Sequence, residues 1–410
     1  MSDVAPVQEQ DRIESLDVIR GFALLGILAV NAALFAAPWQ TSQNPLLAPL
    51  DVTEETMWSW FVMHVFFEFK CITLFSMLFG VSLYLVGGDR TDKARGGVLT
   101  RRLLWLLVFG LIHALLVWYG DILVTYAITG LAVMFARAWK PTTLTIVGIV
   151  LLLISIGLQG LLGAMWDVIP PDQRTPIVQQ LEAIFTPSAE ERARVQAAYQ
   201  GGLLAGLTEN FNTWVMIITN SIFGLVIRTA GVMMMGMALF KWGFLSGKAP
   251  TWLYVLCIGV AAGALALIGY QAMLNWDAQF DAVFMLTGGI MANITLSILV
   301  SIGYAAALIL LVKAGLRLIT GPLSAVGRMA FTNYITQSLI MTTLFWGGRG
   351  FGLFGEVDRV TLWGIVVAVW VLQLIWSPLW LARLQMGPLE WLWRRLSYGK
   401  PVAMAKPAPA

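Results

Sequence analysis

The chain holds two histidines, and the chemistry within its reach turns on what lies near each of them. His113 is followed eight residues later by Asp121, across a Trp118-Tyr119-Gly120 turn. A tight helical hairpin folded at that turn brings the carboxylate back to the imidazole. Such a carboxylate fixes the tautomer and raises the basicity of the ring, which is how a general base is prepared; the same pair also serves as a polar lock between two helices. His64 and Glu68 share a helical face at a spacing of four, with Lys70 half a turn further on, placed either to neutralise Glu68 or to anchor an anion. Arg228, near Thr219 and Asn220, would contact an anion or pair with Glu68 or Asp121. Cys71 and Cys257 are the two cysteines, so neither a disulfide framework nor a thiolate metal cluster is expected, and two histidines give no soft-metal site. No Walker loop, zincin helix, nucleophile elbow or dinucleotide fingerprint occurs.

The elements that must position these groups are apolar. Of 410 residues 58% are hydrophobic and 12% charged, and the mean hydropathy is +0.77, outside the range of soluble domains. Stretches long enough for a span of about 20 residues fall at 18–38, 57–87, 102–118, 121–138, 141–166, 210–245, 251–274, 284–313, 329–347 and 360–382. The expected fold is therefore all-α, a polytopic membrane protein of about ten transmembrane helices. The first loop carries Asp51, Glu54 and Glu55 without a base, and the second carries Arg90, Lys93, Arg95, Arg101 and Arg102 against Asp89 and Asp92. By the positive-inside rule the second loop faces the cytoplasm, and later loops agree with both ends inside. The basic residues thus act as topology signals, and nucleic acid is not an expected partner.

Four regions follow. Residues 1–166 form a five-helix membrane half, and 167–209 an outer-face loop with an amphipathic helix around Glu190 to Tyr199. Residues 210–400 form a second five-helix half, in which 210–245 reads as one long or kinked helix, and 401–410 a disordered tail rich in Ala and Pro. The first apolar run, Phe22 to Pro38, lacks a small-residue cleavage site and is expected to stay as an anchor.

Polar side chains at membrane depth cost several kcal/mol unless partnered, so each is a functional candidate. Asn31 lies eleven residues beyond Arg20, and His113 eleven beyond Arg102, which places both about 16 Å above the inner interface. Arg328 opens the ninth helix, and Asn333, Tyr334 and Gln337 follow on adjacent turns, facing the bundle. The run Gly387-Pro388-Leu389-Glu390-Trp391 starts a short interfacial helix.

Several of these residues fall in ordered motifs. The run Leu16-Asp17-Val18-Ile19-Arg20-Gly21-Phe22 through Leu28, closed by Asn31, resembles the opening of the YeiB family of bacterial inner-membrane proteins. The resemblance continues through Lys70 with Thr73-Leu74-Phe75, Leu78-Phe79-Gly80, Gly110, His113 and Gly120-Asp121-Ile122-Leu123. It ends with Gly327-Arg328-Met329-Ala330, Thr332-Asn333-Tyr334, Gln337 and the segment Gly387 to Arg394. The second half of that family is a domain of unknown function. The resemblance implies distant kinship with transmembrane acyltransferases such as heparan glucosaminide N-acetyltransferase, which move an acyl group from cytosolic acyl-CoA to an acceptor across the membrane. That lysosomal enzyme has a catalytic histidine shortly after its Asn, whereas Ala32 to Gln40 contain none; His64 falls in no motif of the resemblance and His113 does, which makes His113 the better base.

Two functions are consistent with these residues. In an acyl transfer to an envelope sugar or lipid-linked hydroxyl, His113 would take the acceptor proton, Asp121 would orient it, and Asn31 or Tyr334 would stabilise the oxyanion. Arg20, Arg101 and Arg102 at the inner mouth would hold the phosphates of acyl-CoA as co-substrate, with Lys70, Arg228, Arg328, Asn333 and Gln337 as further binding residues. In a transporter of a small solute, the same His and Asp would form a proton relay. No bound cofactor is expected, and an oligomer fits either reading.

Overall fold

Residues 12–88 and 93–406 are described by a computed structural model; the acidic and basic residues 89–92 of the second loop and the tail beyond 406 lie outside them. Among the described residues the protein is all-α. It is a polytopic membrane protein, with eight helices long and apolar enough to cross a bilayer.

The order along the chain is α1 (Glu14–Ala36), α2 (Glu54–Phe66), α3 (Lys70–Gly87), α4 (Lys93–Leu116), α5 (Leu123–Val133) and α6 (Pro141–Ala164). Two short helices, α7 (Pro171–Phe185) and α8 (Ala189–Gln200), precede the 39-residue α9 (Leu203–Lys241) and then α10 (Thr251–Asp277). A single turn, α11 (Ala282–Phe284), runs through a π-helical turn into α12 (Met291–Lys313). The remainder is α13 (Arg317–Arg328), α14 (Ala330–Phe345), α15 (Arg359–Arg383) and α16 (Pro388–Tyr398).

Each of the ten apolar stretches is helical, but two are short for a span. α5 with its 3-10 extension reaches only from Leu123 to Ala136, because Gly120 and Asp121 are used in the turn before it and Pro141 already opens the next helix. α14 has 16 residues and is extended by α13 across a bend at Met329. The stretch 57–87 is not one helix: Phe69 stands at φ +62°, a left-handed conformation unusual for an aromatic residue, and separates α2 from α3. By contrast 210–241 lies in one continuous helix, α9, which ends at Lys241 short of the expected 245 and whose length of about 58 Å at 1.5 Å per residue exceeds the bilayer core. Its first turns therefore pack in the cap built by α8, where Arg194 bridges Glu191 and Glu209.

α1 is the axis of the bundle. Its apolar window is 72% buried, whereas those of α6 and α10 are 17% and 22% buried and turn Ile146, Leu153, Val255 and Leu267 outward. The sequence of α1 is apolar all round, as a helix surrounded by helices requires. Its crossing with α13 is backbone against backbone: a Cβ on Gly21 would lie 1.9 Å from the Leu323 carbonyl oxygen, and one on Gly327 would lie 1.9 Å from that of Asp17. α3 and α9 meet in the same way at Gly80 and Gly236. At the C-terminal end, residues expected as part of the loose tail run back beside α15: Gln385 N–H donates to the Met404 carbonyl and Trp391 Nε1 to that of Val402.

Candidate functional site

The hairpin expected from the His113 to Asp121 spacing is present. α4 ends just past His113, the chain turns through Trp118 to Gly120, and Asp121 precedes α5. His113 Nδ1 lies 2.9 Å from Asp121 Oδ1, while Asp121 Oδ2 accepts from the Val124 N–H at 2.7 Å. Both carboxylate oxygens thus face N–H donors, which assigns the imidazole proton to Nδ1 and leaves a lone pair on Nε2. That nitrogen faces Ser338 Oγ at 2.9 Å, on α14. The result is a Ser338–His113–Asp121 chain, with His113 2% and Ser338 1% exposed. Ser338 is not among the residues the sequence marks as candidates; its four-residue spacing from Tyr334, hence the same helix face, is the signal that points to it.

Below this chain is a cavity of about 510 Å3, within the roughly 300–1,000 Å3 of small-molecule sites. Its lining changes character along three helices at once. On α1 it runs from Arg20 to Leu24 and Ile27, on α4 from Arg102 to Leu106, and across the α13–α14 bend from Arg328 to Phe331 and Tyr334. One end therefore carries Arg12, Arg20, Arg95, Arg102, Arg328 and Arg394 against two carboxylates, Asp17 and Glu390. The other end is apolar and closes on Ile122, Tyr126 and Tyr334. Asp17 pairs with Arg20 at 2.8 Å and Arg12 at 3.3 Å, and Glu390 is taken up by the start of α14, so two carboxylates against six guanidiniums leave this end basic. At the edge of the mouth, burial and the neighbouring charge of Arg12 push the Arg394 guanidinium below its ordinary pKa. α16 docks on α4 to complete this end: Trp393 Nε1 donates to the Arg102 carbonyl at 2.9 Å, and the Arg102 guanidinium sits 4.0 Å over the Trp393 ring.

Tyr334 connects the cavity to the polar chain. It lines the apolar end, and its ring centroid is 5.1 Å from that of His113. Its hydroxyl lies against backbone groups of the turn, 3.5 Å from the Gly120 carbonyl and within hydrogen-bonding reach of the Ile122 backbone.

A second polar cluster surrounds the break between α2 and α3. His64 Nδ1 lies 2.6 Å from Glu68 Oε2, as their spacing predicts. Lys70, fully buried, does not pair with Glu68: the left-handed turn at Phe69 re-aims it, and its Nζ donates to the His64 carbonyl at 2.8 Å and to Asn293 Oδ1 of α12. Asn293 Nδ2 in turn donates to Glu68 at 3.1 Å. Arg228 pairs with neither Glu68 nor Asp121. It donates to the Ile294 carbonyl at 3.1 Å and Ser297 Oγ at 2.9 Å, and sits 5.5 Å over the Phe69 ring. Asn293 was not singled out from the sequence, although the depth argument applies to any asparagine inside an apolar span.

Three other sequence candidates are placed away from the cavity lining. Asn333 Nδ2 donates to the Val326 carbonyl at 3.2 Å and to Ser377 Oγ at 3.0 Å, and Oδ1 accepts from Trp376 Nε1 at 2.7 Å. Gln337 Nε2 donates to Gln373 Oε1 at 2.8 Å. Both side chains brace α14 against α15, which is why polar residues occur there. Asn31 is half-buried and makes no side-chain hydrogen bond among the described residues. Arg101 is exposed and does not line the cavity, whereas its neighbour Arg102 does. Among the described residues no group of His, Cys, Asp and Glu could hold a metal ion.

Fold and site together define a class: a multi-pass helical membrane protein with a basic-mouthed cavity leading to a buried His–Asp pair. Residues 239–400 match the family described as a protein of unknown function, DUF418. The chain is 32% identical to the uncharacterized protein YeiB of Escherichia coli (strain K12), over 94% of this chain and 96% of that protein. It is 31% identical to the uncharacterized protein YxaH of Bacillus subtilis (strain 168), over 97% of each. An uncharacterized 39.9 kDa protein of Bacillus acidopullulyticus is 27% identical over 98% of this chain and 99% of its own length. The chain belongs to the YeiB family. No solved structure matches it.

Proposed function

We propose that the protein is a membrane-embedded acyltransferase of the bacterial inner membrane, with both ends in the cytoplasm, that moves an acyl group from cytosolic acyl-CoA to an envelope sugar or lipid-linked hydroxyl. The observation that carries this reading is Tyr334, which forms the apolar end of the arginine-mouthed cavity on one side and packs against His113 on the other. Phosphates seat among guanidiniums, which hold them by charge-assisted and bidentate hydrogen bonds. The apolar shaft then takes an extended thioester arm toward the base. From Arg102 to His113 the rise along α4 is about 16 Å, so an anion at the mouth and a carbonyl near His113 belong to one elongated ligand. His113 moves the proton, Asp121 orients the ring and Tyr334 contacts the reacting carbonyl.

The test is stabilisation of the detergent-purified protein by acetyl-CoA and longer acyl-CoAs, since a ligand of the folded state raises its unfolding temperature. A rise that increases with ligand concentration supports the reading, and no rise with any chain length overturns it. One observation favours a second reading, transport of a small solute: the helix break at Phe67–Phe69, lined by Lys70, His64 and Glu68, resembles the discontinuous helices of transporters. Solute flux into vesicles that responds to pH, with no covalent change in the solute, would support it.

A further inference from the structure

The base in this site does not point its free nitrogen at the cavity. His113 Nε2 faces Ser338 Oγ, and Nδ1 is already engaged by Asp121, so the hydroxyl within reach of its lone pair belongs to the protein. We infer that Ser338 is the nucleophile of a Ser338–His113–Asp121 relay and carries the acyl group as a serine ester between donor and acceptor. This rests on the acyl-transfer reading above.

Two features beyond the hydrogen-bonded chain support it. The serine lies one turn beyond Tyr334 on α14, the residue that ends the cavity, so displacement of one ring opens the hydroxyl to a ligand in the shaft. Trp118, 6.4 Å from the His113 ring between centroids, has an indole N–H that is buried and without an acceptor among the described residues. A buried donor left open beside the relay suits an oxygen that becomes negative during reaction.

The chemistry balances without a further reagent. Ser338 Oγ attacks the thioester carbonyl carbon while its proton passes to His113 Nε2. The carbon–sulfur bond then breaks, and His113 returns that proton to the departing thiolate, leaving free CoA and the acyl-serine. In the second half the acceptor hydroxyl oxygen attacks the ester carbonyl and gives its proton to His113. The bond from the carbonyl carbon to Ser338 Oγ breaks, and the serine regains a proton from His113. Thioester and alcohol have become thiol and ester.

The full-length protein in detergent or nanodiscs is treated with a fluorophosphonate probe, and separately with [14C]acetyl-CoA, and adducts are located by peptide mapping. The expected result is label on Ser338 from both reagents, absent in Ser338→Ala and formed about 10²–10⁴-fold more slowly in His113→Ala. Ser338→Cys guards against a misfolded alanine variant: it should be alkylated at position 338 by iodoacetamide, with the rate dependent on His113. A wild-type protein that unfolds cooperatively, is stabilised by acetyl-CoA and yet shows no adduct on Ser338 with either reagent overturns the inference. Fluorophosphonate labelling of Ser338 with no stabilisation by any acyl-CoA upholds an activated serine and instead removes acyl-CoA as its donor.

Discussion

The Thr332 hydroxyl donates to Glu390 across 2.5 Å, and the Thr332 and Phe331 backbone N–H groups donate to the same carboxylate at 3.1 and 2.7 Å. α14 begins at Ala330 with no side-chain cap of its own, so the first turn of the helix that carries Tyr334 and Ser338 is capped by a residue of α16. Replacing Glu390 by Ala should lower stability by about 1–2 kcal/mol, the upper range for loss of an N-cap. Glu390→Gln, which keeps one carbonyl acceptor, should recover part of it. Thermal unfolding of both variants in one detergent measures the difference.

Within the relay, Asp121→Asn should keep the turn and lose the ring orientation, because an amide placed against Nδ1 no longer selects the tautomer with a lone pair on Nε2. Acyl transfer should fall about 10²–10⁴-fold with a small change in unfolding temperature. A large loss of stability with transfer unchanged would identify the pair as a helix lock alone.

At the cavity mouth, replacement of Arg102 or Arg394 by Gln should weaken CoA binding about tenfold each, or ~1.4 kcal/mol. The wild-type affinity should also fall as salt is raised from 0.05 to about 0.5 M, since partly exposed guanidinium–phosphate contacts are screened. Arg101→Gln, on the exposed side of α4, should leave affinity unchanged. Titration calorimetry at two ionic strengths reads all three outcomes.

Gly21 and Gly327 set the distance between α1 and α13. Alanine at either must displace a backbone carbonyl 1.9 Å from the new methyl group, and should cost about 1–3 kcal/mol, with loss of ligand binding because both helices line the cavity. Gly224 and Gly263 have nothing within 4 Å of an added Cβ, so alanine there should be neutral or slightly stabilising. Unfolding temperatures of the four variants provide the comparison.

Asp358 caps α15 through the Val360 and Thr361 N–H groups, both at 2.9 Å, and accepts from the Thr361 hydroxyl at 2.6 Å. The hydroxyl bond, followed by the backbone bonds, lowers its pKa below the usual aspartate range. The stabilisation is therefore complete above the unfolded pKa of about 4 and is lost as pH falls through the lower folded value. Wild type should exceed Asp358→Asn in unfolding temperature at pH 7, and the gap should close below about pH 4.

What is legible in the sequence is what local geometry decides. An eight-residue spacing across a turn is enough to pair His113 with Asp121, and a four-residue spacing to pair His64 with Glu68. Apolar runs mark the long helices but merge α2 with α3, and the charge alternation of the loops is what keeps 210–245, interrupted by Arg228, as one helix. Ser338 lies 225 residues from His113, and Arg12 and Arg394 meet at the mouth only because α16, docked on α4 and α14, borders the same cavity as the residues leading into α1, so no spacing reveals these relations. Asn333 and Gln337 are recognisable as residues that need partners inside a bundle. That their partners are Ser377, Trp376 and Gln373 of α15 is a matter of helix packing. Lys70 marks the other limit: a backbone turn at Phe69 redirects a side chain whose sequence position alone suggests a pairing with Glu68.

The cavity draws its wall from Arg12 and from Tyr398, the first and nearly the last described residues, with α16 closing the mouth over α4. During synthesis the earlier helices can enter the membrane and pack around α1 while that wall is still missing. A chain caught before α16 has emerged would be inserted and largely folded yet have no complete binding site. Emergence of α16 is thereby the step that completes the cavity wall.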